Sequence, residues 1–414
     1  MAMSKLDLSF KNLTTLVGLN IPIGTTYLNI SSNRLTSLSG IEHLINLTSL
    51  DLGYNQLTSL VGLEHLINLT YLNISDNRLT SPAGLEHLVN LIKLRVDNNL
   101  LTSLTGIENL INLTHLRAHK NQLTNFAGIE HLINLTKLYI SENPLTSLAG
   151  LENLINLIYL DVGDIRLTSL AGIKSLINLK HLDVSENQLT SLAGVENLIG
   201  LIELRIDGNK IASLASVKKL INLKTLVAGC NKLSNLIGIE NLIGLTCLHI
   251  HSNKLTSFAG IENLINLTYL IINDNKLTSL IGSELLINLK HLYIENTKLV
   301  SLAGIELMTS LTLLHFGNKE LKSLIRLHSL SKLESICYSW SRSEINLLTS
   351  FNKLNLIKYI DNNTFNSYNY WQICRKYPRH FKFTIFDILK ESILADFKVL
   401  LRQNKCIGRL YPQI

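Results

Sequence analysis

Cysteine is scarce in this 414-residue chain, and its five copies, Cys230, Cys247, Cys337, Cys374 and Cys406, lie far apart with no C-x-x-C pair. An odd, scattered set argues against a disulfide framework and for a reduced, intracellular protein. Long hydrophobic runs are missing too: nothing approaches the ~20 apolar residues of a membrane span. The opening MAMSKLDLSF shows no apolar h-region and no small-residue cleavage site, so a cytoplasmic protein without a secretory leader is the expectation. On that reading the many N-x-S/T sequons, such as Asn46-Leu-Thr48, are not glycan sites. Charged residues make up only 17% against 46% hydrophobic, which excludes general disorder. Also absent are G-x-x-x-x-G-K-[ST], G-x-S-x-G, H-E-x-x-H and a G-x-G-x-x-G following a strand. No enzyme activity and no cofactor are expected.

What the chain does contain is repetition, with a period of 22 residues over about sixteen turns. One turn reads Leu47-x-x-Leu50-x-Leu52-x-x-Asn55-x-Leu57, followed by Leu60, Gly62, Leu63, Glu64 and Leu66. The asparagine slot recurs at Asn33, Asn55, Asn77, Asn99, Asn121, Asn143, Asn187, Asn209, Asn231, Asn253 and Asn275. Lys11, Ile165, Thr297, Lys319 and Ser341 replace it elsewhere. In Leu-x-Leu the two leucines share one face of a short strand, and the residue between them takes the other. One turn cannot bury its leucines alone, but stacked turns share a continuous core. An amide side chain both donates and accepts, so the asparagine ladder is read as structural, satisfying backbone groups where the chain leaves the strand. The segment Ser59–Leu66 is too short for a long helix and suits a 3₁₀ or single helical turn. The recurrent glycine, from Gly18 to Gly304 apart from Ser216, fits tight packing or a positive φ.

The pattern matches the leucine-rich-repeat signature L-x-x-L-x-L-x-x-N-x-L. Over roughly residues 3–345 the chain resembles the 22-residue subclass seen in bacterial internalins and in a phosphatase-regulating protein of eukaryotic cells. Its Asn, Ile and Lys enrichment is similar to that of repeat proteins from AT-rich genomes, including giant viruses of protists. The resemblance implies an α/β repeat solenoid: an arc with a concave parallel sheet and short convex 3₁₀ or helical turns. The expected organisation is a solenoid over 1–345 and a degenerate last turn with a basic, aromatic, partly helical cap over 346–414.

Function is sought where the repeats differ from one another. The central concave column includes Arg95, Arg117, Tyr139, Asp161, Asp183, Arg205, His249, Ile271, Tyr293 and His315, and it varies while its neighbours are copied. Three zones follow along it. Lys93, Arg95, His115, Arg117, His119, Lys120 and Lys137 form a basic zone, and Asp161, Asp164, Asp183, Glu186, Glu203 and Asp207 an acidic one. Cys247, His249, His251, Tyr269, Ile271, His291, Tyr293 and His315 form a zone rich in rings. Aromatic and arginine anchors commonly dominate protein interfaces, so a protein partner on this face is the leading expectation. A zinc site at Cys247, His249 and His251 is disfavoured, because alternate strand residues point in parallel ~6.5–7 Å apart and converge poorly.

The net charge of +7 is uneven: residues 365–414 hold nine basic and three acidic residues. The alternative function is therefore a solenoid presenting a basic element, with Tyr370, Trp371, Arg375, Lys376 and Arg379, to nucleic acid or an acidic partner. Phe386, Leu389, Ile393, Phe397, Leu400 and Leu401 have the spacing of an amphipathic helix that would seal the last turn. At the other end Met3, Leu6 and Leu8 start the first turn directly, a sheet edge open to self-association.

Overall fold

The structure is a computed structural model that describes residues 4–317, residue 321 and residues 325–338. The expected cap and basic element at 346–414 lie outside the described residues. Among the described residues, sixteen strands form one sheet in chain order, every neighbouring pair parallel. The first eight are β1 (Ser4–Asp7), β2 (Thr25–Asn29), β3 (Ser49–Asp51), β4 (Tyr71–Asn73), β5 (Lys93–Arg95), β6 (His115–Arg117), β7 (Lys137–Tyr139) and β8 (Tyr159–Asp161). They continue as β9 (His181–Asp183), β10 (Glu203–Arg205), β11 (Thr225–Val227), β12 (Cys247–His249), β13 (Tyr269–Ile271), β14 (His291–Tyr293), β15 (Leu313–Phe316) and β16 (Ser335–Tyr338).

The pairing register equals the repeat. Leu50 faces Leu72, Leu72 faces Leu94, and Arg95 faces Arg117, so each sequence column becomes a straight row across the sheet. The register slips only at β1, between Ser4 and Lys5. Behind the sheet, Leu50, Leu52, Leu57, Leu60, Leu63, Leu66 and Leu69 of a single turn are all fully buried, and the same slots repeat this down the solenoid. Each such side chain contributes about 1.5–3 kcal/mol of burial.

Each ladder asparagine, at most 9% exposed, ties two turns together. Asn55 Oδ1 accepts from the backbone N–H of Leu35, while Nδ2 donates to the carbonyls of Ile30 and Leu52. Asn121 does the same with Leu101, Val96 and Ala118. Where the slot is lost to Lys11 or Ile165, the next residue is thrown into positive φ, Asn12 at 54° and Arg166 at 63°. A second row, Asn46, Asn68 and Asn90, donates from Nδ2 to the carbonyl of the preceding turn at Ile23, Ile45 and Ile67.

The convex segments are mostly successive i→i−3 turns rather than helices. Leu63, Leu66 and Leu69 donate in relay to Leu60, Leu63 and Leu66. Gly62 stands at φ 107° inside the first of these turns, which breaks a helical path. Its N–H donates to Glu64 Oε2 at 2.7 Å, so the convex glutamates complete the turn. Continuous 3₁₀ helix occurs at Ala215–Val217, Ile305–Leu307 and Ile325–Ser329 among the described residues. The first of these surrounds Ser216, the turn that lacks the glycine.

Candidate functional site

Three columns of side chains face the concave side, at the first and third residues of each three-residue strand and two positions further on. With strands ~4.8 Å apart and in register, groups in one column meet their neighbours directly. What each row can do depends on who stands beside whom.

On β5–β7 the cationic side chains gather over one carboxylate. Asp97, only 2% exposed, lies two residues beyond Arg95 on the same face. Its Oδ2 is 3.1 Å from Arg117 Nε and 3.4 Å from Arg95 Nε, and its Oδ1 is 2.8 Å from His119 Nδ1. Burial alone would raise the Asp97 carboxyl, but the His119 hydrogen bond and the charges of His119, Arg117 and Arg95 outweigh it and hold it below the ordinary value. Arg117 also stands 5.1 Å over the Tyr139 ring. His115 is pushed down by burial first, then by the Lys137 and Lys93 charges beside it. Lys120 reaches Glu142 at 3.7 Å.

The next strands are less acidic in practice than their residue types suggest. Asp183 and Asp207 are 9% and 1% exposed. Arg205 sits among them, its Nη1 2.9 Å from Glu203 Oε1 and its Nε 3.6 Å from Asp183 Oδ2. Burial works against that guanidinium, yet Asp183, Asp207 and Glu203 raise its pKa and keep it charged. His181 Nδ1 is 3.2 Å from Glu203 Oε2. Asp161 accepts from the N–H of Gly163 and from Ser141 Oγ. A ring row overlies this region: Tyr139–Tyr159 centroids are 4.6 Å apart and Tyr159–His181 5.8 Å. Tyr159 does not belong to the central column and escaped notice in the sequence; its signal was the adjoining column of the same strand. Burial, then the Asp161 and Asp183 charges, raises its phenol pKa.

On β12–β15 the rings interlock across strands. Tyr269 lies 5.4 Å from each of His249, His291 and Tyr293, and Tyr293 meets His315 edge-on at 5.6 Å. Such pairs contribute about 0.5–1.5 kcal/mol beyond burial. His315 Nε2 is 3.3 Å from Glu295 Oε1, and Cys247 Sγ is 3.3 Å from His249 Nε2. Burial, then the charges of His251 and Arg205, pushes His249 down to about 3, so this imidazole is neutral at physiological pH. His251 is also pushed down by burial, and its Nδ1 is buried without a partner among the described residues. Ile271 is only 2% exposed and offers a partner little surface, whereas Tyr269, Tyr293, His249, His291 and His315 are half-buried.

Among the described residues no group of three His, Cys, Asp or Glu side chains could hold a metal ion. A groove of about 500 Å³ lies over Asn68, Thr70, Asn90, Ile92, Asn112 and Thr114, and these carry no titratable group. No helix among the described residues is long and apolar enough to cross a membrane.

The in-register rows, the asparagine ladder and the relay of convex turns define a leucine-rich-repeat solenoid. Family models for leucine-rich repeats in two copies match residues 26–65 and 111–153, and a single-repeat model matches 68–88. Internalins are among its structural neighbours. An internalin, inlF, from Listeria monocytogenes superposes with a TM-score of 0.68 at 27% identity, over 73% of this chain and 89% of that one. The leucine-rich-repeat protein LIC12759 of Leptospira interrogans gives 0.69 at 27% identity, over 81% and 95%. The plant peptide hormone receptor RGFR1, solved in complex with RGF2, shares the fold at 22% identity and a TM-score of 0.62, over 82% of this chain and 65% of that one. No curated protein sequence matches the chain.

Proposed function

We propose that the chain is a non-enzymatic protein-interaction scaffold whose concave sheet holds a protein partner, anchored on Tyr269, Tyr293, His249, His291 and His315. One observation carries this reading: the concave columns are individualised from turn to turn, while the leucine, asparagine and glycine slots that build the scaffold are copied. At β12–β15 they assemble half-buried rings that pack against one another from strand to strand. Rings held by one another lose little freedom on binding, which makes them effective anchors. Leucine-rich-repeat proteins commonly serve as interaction scaffolds, and the complex of RGFR1 with RGF2 is one example on this fold.

The test is affinity capture with the intact chain, the concave double variant Tyr293→Ala/His315→Ala, and the convex control His65→Ala/His87→Ala. A partner held by the intact chain and the convex control, and released by the concave variant, is the expected result. Equal retention by all three would refute the assignment.

A further inference from the structure

We propose that strands β5–β7 form an anion-binding subsite of the concave face that takes a short acidic peptide segment of the partner. This rests on the scaffold reading above and gives it a chemistry.

Arg95 and Arg117 stand opposite each other in the parallel register, so their side chains start ~4.8 Å apart. Both contact Asp97 Oδ2 through Nε, Arg95 also through Nη2 at 3.5 Å, and His119 occupies the second oxygen, so one buried carboxylate orders two guanidinium groups. The two arginine side chains remain 38% and 40% exposed on the concave face. A planar guanidinium held by Nε can offer its outer nitrogens to a carboxylate, and ordering the side chain beforehand lowers the entropic cost of binding.

The surrounding charge favours the same ligand. On these strands and the loops leaving them, Lys93, Arg95, Arg117, Lys120 and Lys137 outnumber Asp97 and Glu142 by three. The basic region is also bounded. Asp51 on β3 and Asp161 on β8 close it on either side, five strand steps or roughly 24 Å apart. An extended peptide of about seven residues spans that distance. A longer polyanion running along the sheet, such as a nucleic acid strand, would meet carboxylates at both borders. The site therefore suits a compact run of aspartate and glutamate.

The measurement is fluorescence anisotropy on the full chain with three dye-labelled probes. They are a heptapeptide of Asp and Glu, its Asn/Gln counterpart, and a single-stranded RNA heptamer. The acidic peptide should bind, more weakly as salt is raised from about 0.05 to 0.5 M, and the other two much less. Arg95→Gln/Arg117→Gln should weaken it at least about tenfold. Because that variant strips partners from Asp97, Lys93→Gln/Lys137→Gln serves as a second variant that leaves the buried cluster intact, with an expected loss of about threefold. The proposal is overturned by no binding of the acidic peptide, by equal binding of the Asn/Gln peptide, by tighter binding of RNA, or by indifference to both variants. If partner capture is lost with Tyr293→Ala/His315→Ala but the acidic peptide does not bind, only this inference fails. If the peptide binds as expected while capture ignores the concave variant, the anchor assignment fails instead.

Discussion

At the exit of each strand, Asn77, Asn99 and Asn121 repeat one side chain with one set of bonds to the turn before. Four residues earlier, on the concave face, the same strands carry Asn73, Arg95 and Arg117: Asn73 donates to Asp51, while the two arginines converge on Asp97 and Arg117 also covers the Tyr139 ring. Both rows ride on the same backbone and the same leucine core. The first is held constant because each asparagine satisfies three backbone groups that water cannot reach. The second is free to change: Asn73 Oδ1 accepts from the Ser75 N–H at the strand exit, but Arg95 and Arg117 stand in the same slot without such a bond and the register is unaltered. Half-exposed Ile45, Ile67, Ile111 and Ile133 form another row, and since it is copied rather than varied, the same criterion assigns it to the scaffold.

Substitutions can break that contrast. The largest effect is expected in the core and the ladder: Leu116→Ala should lower unfolding stability by about 3–5 kcal/mol and Asn121→Ala by about 3 kcal/mol, read from urea midpoints. Gly128→Ala comes next at about 2 kcal/mol or more. Gly128 has φ 97°, and an added Cβ would run into the Leu104 carbonyl. Ser216→Gly should instead stay within about 0.5 kcal/mol and replace the local 3₁₀ turn by the common one, because the neighbouring turns already accept a glycine there.

Acid should separate two concave regions. His249 has its proton affinity depressed to about 3, while in the unfolded chain it titrates near the ordinary histidine value of 6.5. As the pH falls below about 6.5 the unfolded chain takes up the proton first, so stability is lost progressively from there down to about 3. Asp97 is also depressed, but as an acid: its contribution is present above the ordinary carboxylate range and is lost only as the pH falls through its lowered value. Between pH 7 and pH 5, β12–β15 should therefore weaken while the Asp97 cluster holds. The check is the fall in urea midpoint over that interval, which His249→Asn should reduce and Asp97→Asn should not.

The smallest effect concerns backbone strain. Tyr54 has φ 56° and is 62% exposed, and Gly208 holds the equivalent slot in another turn. Tyr54→Gly is expected to raise stability by up to about 1 kcal/mol, with partner capture unchanged.

The period carried most of the fold. Leu-x-Leu spacing placed the strands, and the asparagine and glycine slots placed the turns. Most convex segments came out as relayed single turns, with a glycine at positive φ in the first of them, a conformational detail the spacing does not carry. The concave columns were legible as positions, not as contacts. Asp97 beneath Arg95 and Arg117, and Tyr159 between Tyr139 and His181, follow from rotamers meeting across neighbouring strands. Likewise Ile271 belongs to the varied column yet is covered. A one-dimensional pattern records which residues share a face, but not which of them bury one another.

We assign recognition to the individualised face and not to the copied ones. Hydroxyl-radical footprinting of the chain, free and with its captured partner, tests it most directly. Tyr269, Tyr293 and His315 should become protected while convex His43, His65, His87 and His131 keep their reactivity. Protection of the convex histidines with the concave rings unchanged would contradict it.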